Sequence, residues 1–347
     1  MDDFSTNRHE IQPVQTTPTR HPDLSFADGN IAILTSSVYF LVHNGLLCRH
    51  SVPLQQAAKA MDQRIKLEGR PVLSLHDSPQ DMLYFLCALY DGLFDLELDP
   101  QNFPMVSALL RLATKYQVNR LRGSLLRQMQ RVQWPVRLAQ WELREAEATN
   151  LNGHYDARLH YPHPILLINL AREINAPELL PSAFYDLSRC TVSETAAGYC
   201  DSQGVVHQLA TEDLMRLLKG REAASRFLST FIVNELEARE PSMNCVHLRE
   251  EDPAHQRACQ AAFESITFEI LRDVNGVTHR SSDPLFAIVD AELMQTRDET
   301  QGRVSVLRAC EFCRLEFGVC VDLAREEFWN RMPGWFGVEL ARGVWAC

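Results

Sequence analysis

The order of residues points to an α+β protein: a small sheet with a helical layer over residues 21–132, then a mostly α-helical region over 133–347. Two features carry this reading. Between His21 and Leu75 short β-prone runs alternate with turn signals. Beyond Trp134-Pro135 the strand signals fade, and apolar residues recur with a period near 3.6. A chain of 347 residues is long enough for two domains.

Residues 1–20 hold Gln, Thr, Pro and Asn with little to bury, and a disordered tail is expected there. Ile31–Leu34 and Val38–Val42 flank Thr35-Ser36-Ser37, the pattern of a hairpin, and Val72–Leu75 reads as a third strand. Ser78 before Pro79 is a helix start, after which Met82, Phe85, Leu86, Leu89 and Tyr90 share one face. Met105, Ala108, Leu109, Leu112 and Tyr116 repeat the device after Pro104, as do Leu121, Leu125, Met129 and Val132 after Asn119. In the second half helices are expected over 177–189, over 212–219 (capped by Thr211 and stopped at Gly220), and over 221–237, 261–274 and about 305–331. The stretches 150–163, 191–210 and 275–300 read as long loops.

Hydrophobic residues make up 46% and charged ones 23%, the balance of an ordinary globular protein. With 34 basic against 45 acidic side chains the net charge is −11, which repels polyphosphate, so direct nucleic-acid binding is not expected. The start, Met1-Asp2-Asp3-Phe4, has no apolar targeting segment, and no stretch approaches the roughly 18 apolar residues of a membrane span. Ten irregularly spaced cysteines read as reduced thiols, placing the protein in cytoplasm or nucleus.

Phe40-x-Val42-His43-Asn44-x-x-Leu47-x-x-x-Ser51 resembles the signature of the BTB/POZ domain, where a strand ending F-x-V/A-H runs into a short helix. Asp28-Gly29-Asn30-Ile31, Leu75-His76-Asp77-Ser78-Pro79, Ala88-Leu89-Tyr90-Asp91-Gly92 and Leu112-Ala113-Thr114-Lys115-Tyr116 fall in the same order, and the whole is similar to the fungal set of BTB-domain proteins. The resemblance implies a protein-interaction module, commonly a homodimer, which in some members recruits targets to a cullin-type ubiquitin ligase. A transcriptional or chromatin cofactor working through self-association is the alternative. The partner-binding residues it implies are Asp28, Asn30, His43, Leu46, Leu47, Ser51 and Leu54. Two positions depart from the family: Asn30 stands where an Asp is usual thirteen residues before the His, and Leu54 where a Phe is usual three residues after the Ser. Independently of the family, Leu46, Leu47 and Leu54 on short helices suggest an association surface. Core burial is the commoner fate of a leucine such as Leu47, and capping or hydrogen bonding the commoner role of a histidine such as His43.

None of G-x-S-x-G, G-x-x-x-x-G-K-[ST], G-x-G-x-x-G, H-E-x-x-H or an EF-hand loop occurs, so binding rather than bond chemistry is expected. Glu142/Glu145/Glu147, Glu250-Glu251-Asp252 and Glu326-Glu327 read as solvated faces. His154–His163 concentrates three histidines and two tyrosines, a candidate metal or acid–base cluster whose more ordinary reading is a loop tying down a junction. Cys310-Glu-Phe-Cys313 is half of a structural zinc site, since two thiolates three residues apart can reach one tetrahedral ion. Cys245-Val-His247 is the most compact candidate for the other half, with Cys190, Cys200, His255 and Cys259 as alternatives. The competing reading places Val306, Cys310, Cys313, Phe317, Cys320, Val321, Ala324 and Phe328 on one apolar helix face, with cysteine as a small hydrophobe. A metal-dependent enzyme built on either cluster is a third functional reading. Trp329, Trp335 and Phe336 read as pinning the last helix, or as a peptide-binding surface.

Overall fold

A computed structural model of the chain describes residues 17–93, 98–151, 154–237, 239–273, 283–296 and 308–345. Contacts divide it into a sheet unit (Met1–Leu96 and Pro104–Leu125) and a helical unit (Glu97–Phe103 and Leu126–Cys347). The division falls inside the helix that the sequence assigns wholly to the first domain, ahead of the boundary expected at 132. Among the described residues no helix is long and apolar enough to cross a membrane.

The sheet unit begins with β1 (Thr19–Ser25), β2 (Ile31–Thr35) and β3 (Val38–Val42). Of the expected tail, residues 1–16 lie outside the described residues, and Thr19 and Arg20 already pair with Val38 and Tyr39. β2 and β3 form the anticipated antiparallel hairpin, Ile31 opposite Val42 through Thr35 opposite Val38, with Ser36 turning at φ 50°. Helices α1 (Asn44–His50) and α2 (Val52–Ala60) follow, then β4 (Lys66–Leu67) and β5 (Arg70–Leu75), and β5 returns parallel to β2. The strand order is β1-β3-β2-β5-β4. Ile31, Ala32, Ile33, Phe40, Leu41 and Val42 are buried without alternation, as central strands covered on both faces require. α3 (Pro79–Tyr90), α4 (Phe103–Lys115) and the first half of α5 (Asn119–Val132) complete the unit. Ser78 caps α3 by accepting from Asp81 N at 3.0 Å.

The helical unit runs through α6 (Leu138–Glu147), α7 (Ala157–His160), α8 (Pro164–Glu173), α9 (Leu180–Ser188) and α10 (Val192–Ala197). A small hairpin, β6 (Tyr199–Cys200) with β7 (Val206–His207), leads to α11 (Thr211–Phe231), which continues as a π-helical stretch over Ile232–Glu237. Next come α12 (Pro253–Gln256), α13 (Ala258–Asp273), α14 (Pro284–Thr296) and α15 (Glu311–Trp335). The expected loops are therefore partly built: 150–163 holds α7, 191–210 holds α10 and the hairpin, and most of the described part of 275–300 is α14. Gly220 does not stop a helix. A Cβ there would stand 2.1 Å from the Phe336 ring, so the glycine lets that ring lie against an uninterrupted α11. Phe336 and Trp329 are fully buried, and Trp345 stacks on Trp329 at 4.8 Å, so Phe336 and Trp329 pack inward, while Trp335 is half-buried.

Candidate metal centre

Four sulfurs converge in the helical unit. The thiols of Cys245, Cys259, Cys310 and Cys313 lie within 4.8 Å of one another, a group able to hold a metal ion, and the described cysteines are all free thiols. Cys245 Sγ is 3.6 Å from Cys259 Sγ and 3.8 Å from Cys310 Sγ. A tetrahedral ion with metal–sulfur bonds near 2.3 Å has sulfur–sulfur edges of about 3.8 Å.

Each thiol is delivered by the start of a helical element. Cys245 precedes the 3-10 turn Val246–Arg249, Cys259 is the second residue of α13, and Cys310 and Cys313 bracket the first turn of α15. Helix N-termini carry partial positive charge and open N–H groups, which suits thiolate ligands. The donors are in place: Ser242 N donates to Cys313 Sγ at 3.4 Å and Cys310 N to Cys259 Sγ at 3.2 Å. Burial pushes the Cys259 thiol up to about 11 and raises that of Cys313 as well. For Cys310 burial acts the same way, but donation from the backbone N–H groups of Cys313 and Val246 outweighs it and brings the thiol down to about 7.

The surrounding hydrogen bonds fix the frame. Ser242 Oγ donates to Glu316 and accepts from Asn244 N at 3.1 Å, while Ser242 O accepts from Cys245 N at 2.8 Å, closing a turn that aims Cys245 inward. Gln295 of α14 accepts from Ala309 N at 2.8 Å, just ahead of Cys310. The cysteine pair of the sequence motif is thus half of the cluster, and one partner is corrected. Cys259, not His247, completes it, because a turn with three residues per revolution carries the residue two beyond Cys245 around to another side. Cys190, Cys200 and His255 are not in the group. The helix expected from about 305 begins only at Glu311, so Cys310 precedes it, while Cys313, Phe317, Val321 and Phe328 form the inward stripe; Val306 lies outside the described residues.

His154 and His160 are exposed, and His163 caps α8 by accepting from Ile165 N at 3.3 Å. Their segment serves instead a buried ionic network. The carboxylate of Asp186 receives Arg144 at 2.9 Å, Arg158 at 2.7 Å and Arg189 at 2.7 Å. Arg189 also reaches Glu145 at 2.7 Å and Asp283 at 2.8 Å, and Tyr185 OH donates to Asp283 at 2.6 Å. Arg144 lies 4.6 Å over the Trp141 ring and 4.3 Å over that of Tyr161. Burial would raise the Asp186 carboxyl, but Arg158, Arg144 and Arg189 together hold it well below the usual carboxylate range. Glu145, expected on a solvated face, belongs to this network; its neighbour Glu142 stays at the surface.

In the sheet unit, Leu47, Ser51 and Leu54 are each 1% exposed, so these three expected contact residues lie in the core beneath the surface. Ser51 Oγ accepts from Leu54 N at 3.0 Å and donates to Tyr116 O at 2.7 Å, joining the start of α2 to the end of α4. Leu46 is half-buried, while Asp28 and Asn30 are exposed. Asn30 Oδ1 accepts from Asn44 N at 2.7 Å and so caps α1 from outside the helix. Asp28 lies 3.3 Å from His43 Nε2, and that hydrogen bond lowers its pKa, while Tyr90 OH meets His43 Nδ1 at 2.8 Å. No family model and no curated protein matches the chain.

Proposed function

We propose that the chain is a protein-interaction protein, with a BTB-type module in its sheet unit and a structural zinc ion in its helical unit, acting by binding rather than by bond chemistry. The observation that carries the first part is the succession of hairpin, two short helices, strand and three helices, in the order of the resembling motifs. Asp28 supports it further: a carboxylate reaches His43 although position 30 is Asn, which suits a charged self-association pocket. Sulfur spacing carries the second part. Four soft ligands within 4.8 Å of one another, two of their separations at 3.6 and 3.8 Å and so near a tetrahedral edge, favour zinc, and four protein ligands leave no open position for a reacting water, so the ion would be structural.

Native mass spectrometry of the full-length chain, purified without added metal, tests both parts in one spectrum. The expected mass is two chains with one zinc each. A monomer would remove self-association, and a metal-free mass would return the cysteines to the core. The ligase-adaptor form of the reading calls for a cullin N-terminal domain to bind at tens of micromolar or below, and it fails if none does.

A further inference from the structure

α15 is apolar on two opposite sides. Cys313, Phe317, Val321 and Phe328 face the core, while Phe312, Leu315, Val319 and Leu323 are 46%, 64%, 60% and 62% exposed. Their spacing of three, four and four residues puts the second set on one side of the helix, along about 16 Å. Such a contiguous exposed strip marks a binding surface far better than scattered apolar residues do. Its far end is concave: Leu323 also lines an open cavity of about 520 Å³ with Phe227, Phe231, Ala324 and Trp335.

The rim decides the occupant. Glu311, Glu316, Asp322, Glu326 and Glu327 are exposed beside the strip. Two of these carboxylates are themselves paired, Glu327 with Arg331 and Asp322 with Arg325, and Arg308 is exposed just ahead of the helix, so five acids stand against three arginines and the rim is net negative. A second copy of this chain would set carboxylates against carboxylates. We infer that the outer face of α15 docks an amphipathic helix of a partner protein whose apolar side is flanked by Lys or Arg. Phe312 lies between Cys310 and Cys313, so the sulfur cluster anchors the end of the helix that presents the strip.

The probe is a labelled helical peptide of about 18 residues made only of Leu and Lys in amphipathic order, titrated by anisotropy with the full-length protein. Saturable one-to-one binding in the micromolar range is expected. It should weaken at least tenfold for V319Q/L323Q, whose exposed positions leave the circular dichroism spectrum unchanged. A Leu/Glu peptide of the same order should bind at least tenfold more weakly than the Leu/Lys one. Equal affinity for the variant would make the contact a general electrostatic one and overturn the inference, as would equal affinity for the two peptides. A native dimer that V319Q/L323Q splits would replace the partner helix by a second copy of the chain and overturn it too.

Discussion

The two units bury polar side chains in opposite ways. Among the described residues, the fully buried polar groups of the sheet unit are the hydroxyls Thr35, Ser51 and Ser107. Thr35 serves its own turn and Ser51 joins two helix ends, each through one or two neutral hydrogen bonds. The helical unit buries Arg144, Asp186, Asp213 and Asp283, with the thiols of Cys245, Cys259 and Cys313. A buried hydroxyl needs one partner, and its loss is local. A buried charge, or a quartet of sulfurs closed around an ion, needs all its partners at once, because removing one leaves the others desolvated and uncompensated. The sheet unit should therefore lose stability in increments, and the helical unit in large steps.

The largest step is expected at the sulfur cluster. With zinc in the quartet as proposed, Cys259→Ser should abolish stoichiometric metal and strip the helical unit of most of the metal's stabilisation, which for structural zinc in small domains is about 10 kcal/mol or more. Cys320→Ser should leave the zinc in place, since Cys320 lies on α15 outside the quartet. Zinc content by mass and thermal unfolding by calorimetry check both, and a sheet-unit transition that moved with Cys259→Ser would break the contrast between the units.

Asp186→Ala comes next. It removes the carboxylate that three guanidinium groups share and leaves Arg144 fully buried, at a cost of about 3–5 kcal/mol. Replacing Arg158, the most exposed of the three partners, should cost far less, because two cations remain on the carboxylate. Urea unfolding of the two variants measures the difference. Equal effects would mean that the network acts as separate pairs.

What could be read ahead of the fold tracks the same division. The hairpin from Ile31 to Val42 and the Ser78-Pro79 helix start are written in neighbouring residues, where β-prone runs, turn and cap chemistry act locally. Cys310 and Cys313 were legible for the same reason. Cys259 was legible only as one of several alternatives to His247, because nothing near it in the chain singles it out and only the packing of α13 against α15 brings it to the pair. Gly220 misleads locally, since its cause is a ring from residue 336. The members of the ionic network span 144 to 283, and Glu145 looks like any other acid of a solvated helix until Arg189 is beside it. Leu54 shows the reverse case: with Leu46 and Leu47 it suggests an association surface, and the fold turns it inward, as core burial was already the commoner expectation for Leu47.

In the sheet unit the counterpart test is smaller. Ser51→Ala deletes the cap of α2 and leaves Tyr116 O without its donor, for a cost of about 2 kcal/mol. Ser51→Thr should restore the cap and part of that loss. Chemical denaturation reads both values, and a loss above that of Asp186→Ala would reverse the ranking of the units.

The smallest effect is a pH dependence that should belong to the helical unit. Burial first, and Arg158 second, bring His163 down to about 4, opposed by Asp186 and Glu194. The neutral ring is also what α8 requires, because Nδ1 can accept from Ile165 N only without a proton. Below its unfolded value near 6.5 the unfolded chain binds a proton that the folded ring refuses, so stability from this group is complete above about pH 6.5 and falls as pH drops toward 4. Partial solvent access limits the fall to about 1–2 kcal/mol. Asp186, whose folded value is lowered, loses its contribution only below the ordinary carboxylate range near 4, so the two responses separate on the pH axis. Replacing His163 by Asn keeps a capping acceptor and removes the titration. Stability measured between pH 4 and 6.5 should then flatten relative to the parent, and an unchanged slope would assign the acid response to another group.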